Sequence, residues 1–288
     1  MSFICQILRE DSIQEFLNST SELLYEHEAT NTLMLGLCEG MLSSSPKTPP
    51  LLIRIVENHE TVSAAIQTPP MNLVLTHAST SNLEELAKYL KKAGANFPGV
   101  VGPAKESEQF SKIWSSLVGN QALLGMGQKI YKLEKVNFPN NVIGTFRAAT
   151  TSELNTVFNW IMAFAKESLP ASDQRREAHW REFAERAVQK QNAYFWIHDN
   201  KPVSIAFASR PTKNGASING VYTPPDFRKK GYASGVVAHI SQKMLDNGKK
   251  FCVLYTDLSN PTSNKIYQNI GYKEVADSKH FLFLTESP

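Results

Sequence analysis

Three cations, two prolines and several small residues crowd into Val221-Tyr222-Thr223-Pro224-Pro225-Asp226-Phe227-Arg228-Lys229-Lys230-Gly231-Tyr232-Ala233-Ser234-Gly235. The residues leading in, Ser217 to Thr223, read as a strand. That strand must stop at Pro224 and Pro225, which cannot donate ladder hydrogen bonds. After the cations a helical period begins, with Ala233, Val236, Val237, Ile240 and Met244 on one face. Strand, basic small-residue loop and helix start are the parts of an anion site. Free backbone N–H groups and the positive end of the helix dipole meet the anion there. Gly231 and Ala233 keep the backbone approachable, and Arg228, Lys229 and Lys230 add charge. Taken alone, the pattern fits any phosphate, or a plain solvated turn.

Other reactive side chains are sparse. Cys5, Cys38 and Cys252 are far apart and form no CxxC, so neither a disulfide framework nor a zinc site is expected. Cys252 lies inside the apolar run Phe251 to Thr256 with no adjacent His, the setting of a buried, inert thiol. The 7 histidines are scattered without an HxxxH pair, and no metal is expected. A net charge of +3 over 288 residues is too mild to mark a nucleic-acid binder, and no GxxxxGK[ST] is present. The opening MSFICQILREDSIQEF carries charge too early for a signal peptide, and no apolar run reaches membrane-spanning length. A reducing cytoplasm is the default expectation, and the 42% hydrophobic, 20% charged composition fits a globular protein.

The elements that must position the loop follow from periodicity and punctuation. In the first half, strands are expected at Phe3 to Leu8, Leu51 to Val56, Thr61 to Gln67, Met71 to Thr76, Gly99 to Gly102 and Gln128 to Val136. Helices are expected over Asp11 to Leu17, Ser19 to Glu28, a segment capped by Ser81 or Asn82 and ended by Gly94, and one marked by Phe110, Ile113, Trp114 and Leu117. Residues 43–50 read as a loop. In the second half, strands are expected at Val142 to Ala148, Ala193 to His198, Val203 to Ser209, Phe251 to Thr256, Tyr272 to Val275 and His280 to Leu284. A helix capped by Thr151 or Ser152 carries Leu154, Val157, Phe158, Ile161, Met162 and Ala165 on one face, and Glu167 to Pro170 interrupts it. A second runs from Ser172 to Gln189, and Asn260 to Ile270 is a helix ended by Gly271.

The short, turn-rich stretch Asn137 to Asn141, after which a new pattern starts, predicts a domain at 1–136, a linker at 137–141 and a second domain at 142–288, and the two halves repeat the same order of elements. Where the second half has Arg-Lys-Lys-Gly-Tyr-Ala, the first has Thr76 to Ser81, without cations or glycine. If one half binds a phosphate-bearing ligand, it is the second.

Arg228-x-x-Gly231-x-Ala233 after a strand and at a helix start resembles the phosphate-binding motif of the GNAT N-acetyltransferase superfamily, Arg/Gln-x-x-Gly-x-Gly/Ala. The stretch Leu254 to Tyr272 is similar to that family's next motif: a strand, an Asn, a helix bearing a Tyr, then Gly and an aromatic. The resemblance covers 142–288 directly, with the first half as a degenerate copy. It implies an α/β (α+β) protein of two GNAT-like domains, each a mixed, mostly antiparallel sheet flanked by helices. It also implies a V-shaped splay between the strands ending near Thr223 and Thr256. Acetyl-CoA is the implied co-substrate, with its pyrophosphate on the backbone amides of Arg228, Lys229, Lys230, Gly231, Tyr232, Ala233 and Ser234. The backbone of Val221, Tyr222 and Thr223 would hold the pantetheine arm, Asn260 and Ser263 would contact it, and Tyr267 would stand near the sulfur.

Acetyl transfer to an amine needs a neutral amine, support for the carbonyl oxygen and a proton for the departing thiolate. Backbone N–H groups near Val221 to Thr223 and the Tyr267 hydroxyl fit the last two roles. The base is open among Asp257, Glu167 and water. Against this stand plainer readings: Asn260 as a helix cap, Tyr267 as a core aromatic, and the whole as an acyl-CoA-binding sensor without turnover. The acceptor and the oligomeric state are not spelled out by any residue pattern.

Overall fold

The computed structural model describes residues 5–43, 46, 48–169 and 175–284, without the side chains at 261 and 262. The chain folds as two compact units. The first takes its described residues from 1–130, 257–259 and 275–288, the second from 131–256 and 260–274.

In the first unit, β1 (Cys5–Arg9), β2 (Leu51–Glu57), β3 (Glu60–Gln67) and β4 (Leu73–Leu75) pair antiparallel in that order. The β2–β3 turn has positive φ at Asn58 (50°) and His59 (72°), the twist that joins tight hairpins. β5 (Gly99–Pro103) then runs parallel to β4. Helix α1 (Ile13–Glu26) starts on the side chain of Ser12, which accepts the Glu15 N–H, and buries Phe16, Leu17, Thr20 and Leu24. The expected pair of short helices is thus one. Helix α2 (Thr32–Ser43), which no sequence signal above marks, packs Met34, Leu35, Cys38 and Met41 into the same core. Helices α3 (Thr80–Lys92) and α4 (Ala104–Val118) cover the other face through Leu83, Leu86, Leu90, Phe110 and Trp114. Ser79, not Ser81 or Asn82, caps α3. The strand β6 (Gln121–Leu133) begins before the expected Gln128.

The second unit repeats the plan. β7 (Thr145–Ala148), β8 (Ala193–His198), β9 (Lys201–Ser209) and β10 (Gly215–Tyr222) pair antiparallel, and β11 (Phe251–Asp257) runs parallel to β10. Asp199 (φ 49°) and Asn200 (φ 59°) turn β8 into β9. Helices α5 (Leu154–Ser168) and α6 (Glu177–Gln189) bury one sheet face around Phe158, Phe195, Ile205 and Phe207. Helices α7 (Tyr232–Asp246) and α8 (Pro261–Ile270) lie on the other core, with Val236, Ile240, Cys252, Leu254 and Ile270. Trp196 sits in that second core and Phe195 in the first. Glu167 lies inside α5, so the expected interruption begins later than proposed. The expected start of α6 at Ser172 lies outside the described residues.

Two expectations about the chain's end and middle differ from the fold. The two short closing strands are one, β12 (Lys273–Leu284). Its residues 278–282 pair antiparallel with 99–103 of β5, which is why 275–284 belong to the first unit. Conversely Tyr131, Leu133 and Val136 join the core of the second unit, and Asn137 N–H donates to Ile270 O at 2.7 Å. The stretch 137–141 is therefore anchored within the second unit, and the division between units falls at 130/131.

Candidate active site

The site begins where two parallel strands part. β10 and β11 are paired at Gly215↔Phe251, Ala216↔Cys252 and Ser217↔Val253, and no further along, although the strands run on to Tyr222 and Asp257. A bulge in β10 accompanies the parting. Asn219 faces Phe207 of β9 and Tyr222 faces Ile205, so three steps on β10 match two on β9. Gly220 makes this possible with φ 55°; a Cβ there would stand 2.7 Å from Phe207 Cδ2 and 3.1 Å from Ile161 Cδ1. The result is a V-shaped slot with Ser217 and Val253 at its vertex.

The slot leads toward the basic loop. β10 ends at Tyr222, one residue before Thr223, and Pro225–Phe227 form a single 3-10 turn. Lys229 (φ 64°) and Gly231 (φ 81°) both take the left-handed conformation, which turns the chain into α7. Gly235 N–H closes the first helical bond on Gly231 O at 3.0 Å. The N–H groups of Tyr232, Ala233 and Ser234 are left without helical acceptors, as at any helix start. Arg228 N–H already donates to Pro225 O at 3.2 Å, so the run of N–H groups without a backbone acceptor begins at Lys229. A Cβ at Gly231 would meet Val142 Cγ2 at 3.0 Å. Tyr232 points inward, 5% exposed, and its ring lies 5.5 Å from that of His198.

Arg228 does not simply add charge to the loop. Its Nε donates to Thr223 O at 2.8 Å and its terminal nitrogen to Glu167 Oε2 at 2.6 Å. Tyr222 Oη donates to the other Glu167 oxygen at 3.2 Å. Burial raises the Tyr222 phenol, and the neighbouring Glu167 carboxylate raises it further. Ser204 Oγ donates to Tyr222 O at 3.2 Å and is bonded to Thr223 Oγ1 at 2.9 Å. The end of α5 is thereby tied to the strand end and to the loop. Sequence reading singled out Arg228 and Glu167 for separate roles and missed Ser204; only the fold brings them together.

Across the slot, Asn260 caps α8 by accepting Ser263 N–H at 3.1 Å, the plainer of its two readings. Asn264 Oδ1 takes the Thr256 hydroxyl at 2.8 Å. Tyr267 is half-buried against the α7 core, its ring 6.1 Å from Tyr272. Burial pushes its phenol up to about 12, so it is a protonated donor at neutral pH. Its hydroxyl has no partner among the described residues. Burial likewise pushes the Cys252 thiol up to about 12, which suits an inert core residue.

The first unit differs at the corresponding helix positions. Phe110 is the seventh residue of α4, as Tyr267 is of α8, and lacks the hydroxyl. Glu106, third in α4 where Ser263 is third in α8, holds His77 Nδ1 at 3.1 Å across the ends of β4 and β5. Among the described residues no group of three or more His, Cys, Asp or Glu side chains is arranged to hold a metal, and no helix is long and apolar enough to cross a membrane.

Residues 198–282 match the family model described as FR47-like protein. No curated protein sequence is similar to the chain. Among solved structures, a GCN5-related N-acetyltransferase from Sphaerobacter thermophilus superposes with a TM-score of 0.62 at 10% identity, covering 97% of this chain and 94% of that one. A GNAT-family acetyltransferase from Colwellia psychrerythraea gives 0.55 at 13% identity, covering 96% and 98%. A tandem GNAT protein from the clavulanic acid biosynthesis pathway gives 0.53 at 9% identity, covering 99% of each chain. At such identities the likeness is one of fold. The chain thus has the fold of these GNAT proteins, in two units of similar plan, and residues 198–282 carry the pattern of the FR47-like family model.

Proposed function

We propose that the second unit is an N-acetyltransferase that moves an acetyl group from acetyl-CoA to an amine by direct attack. The observation that carries this reading is the slot: strands that part after Ser217 and Val253 and lead to a left-handed Gly231 with free helix-start amides. A long, narrow ligand with a pyrophosphate near its middle suits that shape. Acetyl-CoA would supply the activated thioester. The amides of Lys229 to Ser234 would hold the phosphates, and the unpaired edge of β10 from Ile218 to Thr223 would offer backbone groups to the amide-rich arm. Backbone N–H groups at the bulge would support the carbonyl oxygen as it gains charge. Tyr267, protonated and unpartnered, would give the departing sulfur a proton or hydrogen bond. Glu167 is held by Arg228 and Tyr222, which supports water rather than Glu167 as the proton acceptor.

Calorimetry with acetyl-CoA tests the reading. Micromolar-range binding is expected for the wild type, and Arg228→Glu combined with Gly231→Asp should abolish it. Binding that is absent in the wild type, or intact in the double variant, refutes the proposal.

A further inference from the structure

We propose that Arg210, Ser217 and Asn219 form the acceptor-selecting floor of the slot, and that the acceptor is an amine carrying a carboxylate, an amino acid or close relative. This inference rests on the acyl-transfer reading and adds the substrate class to it.

Strand alternation puts the three groups together. On β9, Ile205 and Phe207 face the α5–α6 core, and Ser209 follows in the same phase. On β10, Ile218 faces the α7 core, so Ser217 and Asn219 share the α5–α6 side with Ser209. Asn219 Nδ2 donates to Ser209 Oγ at 2.7 Å. On β11, Cys252 and Leu254 face the α7 core, which turns Val253 and Tyr255 to the same side as Ser217.

Within this patch the hydrogen-bonding capacity is not used up. Ser217 is 2% exposed and stands at the last β10–β11 pair, yet its Oγ has no partner among the described residues. The buried Asn219 Oδ1 has none either. Such orphaned atoms destabilise a fold unless something else satisfies them. Arg210 directly follows Ser209 with φ 44°, a conformation that departs from strand alternation. It is partly buried, and among the described residues no carboxylate or hydrogen-bond acceptor meets its guanidinium. Burial holds that guanidinium below its usual range, and the electrostatic influence of Tyr255 opposes the shift.

A cation one residue beyond Ser209, which pairs with Ser217 and accepts from Asn219, together with two orphaned oxygens, calls for a ligand with both an anion and N–H donors. The guanidinium fork matches a carboxylate in two parallel hydrogen bonds. Asn219 Oδ1 and Ser217 Oγ can accept from the amine and orient it at the vertex. In the transfer the nitrogen–acyl bond forms as the carbon–sulfur bond breaks. The proton shed by the nitrogen leaves to water, and the CoA thiolate takes up one in return.

The test offers acetyl-CoA-saturated protein a panel of free amino acids, their carboxamides and spermidine, with mass-spectrometric detection of acetylated product and calorimetry of acceptor binding. The wild type should favour the best amino acid over its carboxamide by about 100-fold or more in kcat/KM. Arg210→Met should shrink that ratio below about 5-fold, while Arg210→Lys keeps a clear preference. Arg210→Met should also melt no lower than the wild type, because it removes a partly buried charge that no carboxylate among the described residues compensates. A wild type that prefers carboxamides or spermidine overturns the inference. So does a ratio unchanged in Arg210→Met, or a protein that binds acetyl-CoA but neither binds nor acetylates carboxylated amines. Loss of acetyl-CoA binding itself would sink the acyl-transfer reading and this inference with it.

Discussion

Gly231→Ala isolates the loop's geometry from its charge. Gly231 sits at φ 81°, where a Cβ would also stand 3.0 Å from Val142 Cγ2. Holding an alanine there costs about 1–2 kcal/mol in backbone strain. The variant relieves that strain by letting the loop relax, and ligand binding must then restore the native conformation. At about 1.4 kcal/mol per tenfold, acetyl-CoA affinity should fall by roughly 5- to 30-fold. Gly248→Ala is the matched control: φ is 90°, nothing lies within 4 Å of the added Cβ, and the site is at the far end of α7. It should lower the melting temperature by a similar amount and leave affinity unchanged. Adding Val142→Ala to Gly231→Ala should recover only the steric share. Calorimetry at fixed ionic strength reads all four proteins. Equal affinity for wild type and Gly231→Ala, or equal losses in Gly231→Ala and Gly248→Ala, would refute the claim that this backbone conformation holds the ligand.

Tyr267→Phe should lower kcat about 100-fold with little change in acetyl-CoA affinity or melting temperature, because the hydroxyl has no internal partner to lose; steady-state kinetics and calorimetry separate these. Cys252→Ala should retain acetyl transfer, and iodoacetamide at pH 8 should leave Cys252 unmodified in the folded protein, since burial pushes its thiol up to about 12. Glu153 is bound by Arg147 at 2.7 Å through each oxygen, and this hydrogen bonding chiefly lowers its carboxyl to about 2. A depressed carboxyl stabilises the fold above its ordinary 4.5 and loses that contribution as pH falls toward 2, so melts of Glu153→Gln and wild type should diverge above pH 4.5 and converge in acid.

Much of the site is written locally. Pro224 and Pro225 end a strand, Gly231 breaks the chain's handedness and an apolar period starts a helix, so the loop needed no tertiary information. Asn260 and Gly271 bracket α8 for the same reason. Helix α2 was invisible because its apolar residues, Leu33 and Leu37 as well as Leu35 and Cys38, are spread around the helix, and Gly36 and Gly40 weaken the helical signal. β12 looked like two strands because Ala276, Asp277 and Ser278 interrupt its apolar run; pairing with β5 holds it as one. The Arg228–Glu167 bridge spans 61 positions, and the unpaired state of Arg210 is a property of its surroundings. Neither has a sequence signature.

The placement of residues 275–284 has a consequence for how the polypeptide is made. During synthesis the first unit's β5 must wait for a partner strand encoded after the whole of 131–274. Until then one side of β5 offers unpaired N–H and C=O groups, the kind of edge that recruits foreign strands. So long a wait makes maturation slow and places the hazard of misassembly in the nascent chain rather than in the finished protein. Chains arrested at residue 270 should be captured by holdase chaperones, whereas an arrest beyond residue 284, with a linker spanning the ribosomal exit, should release them.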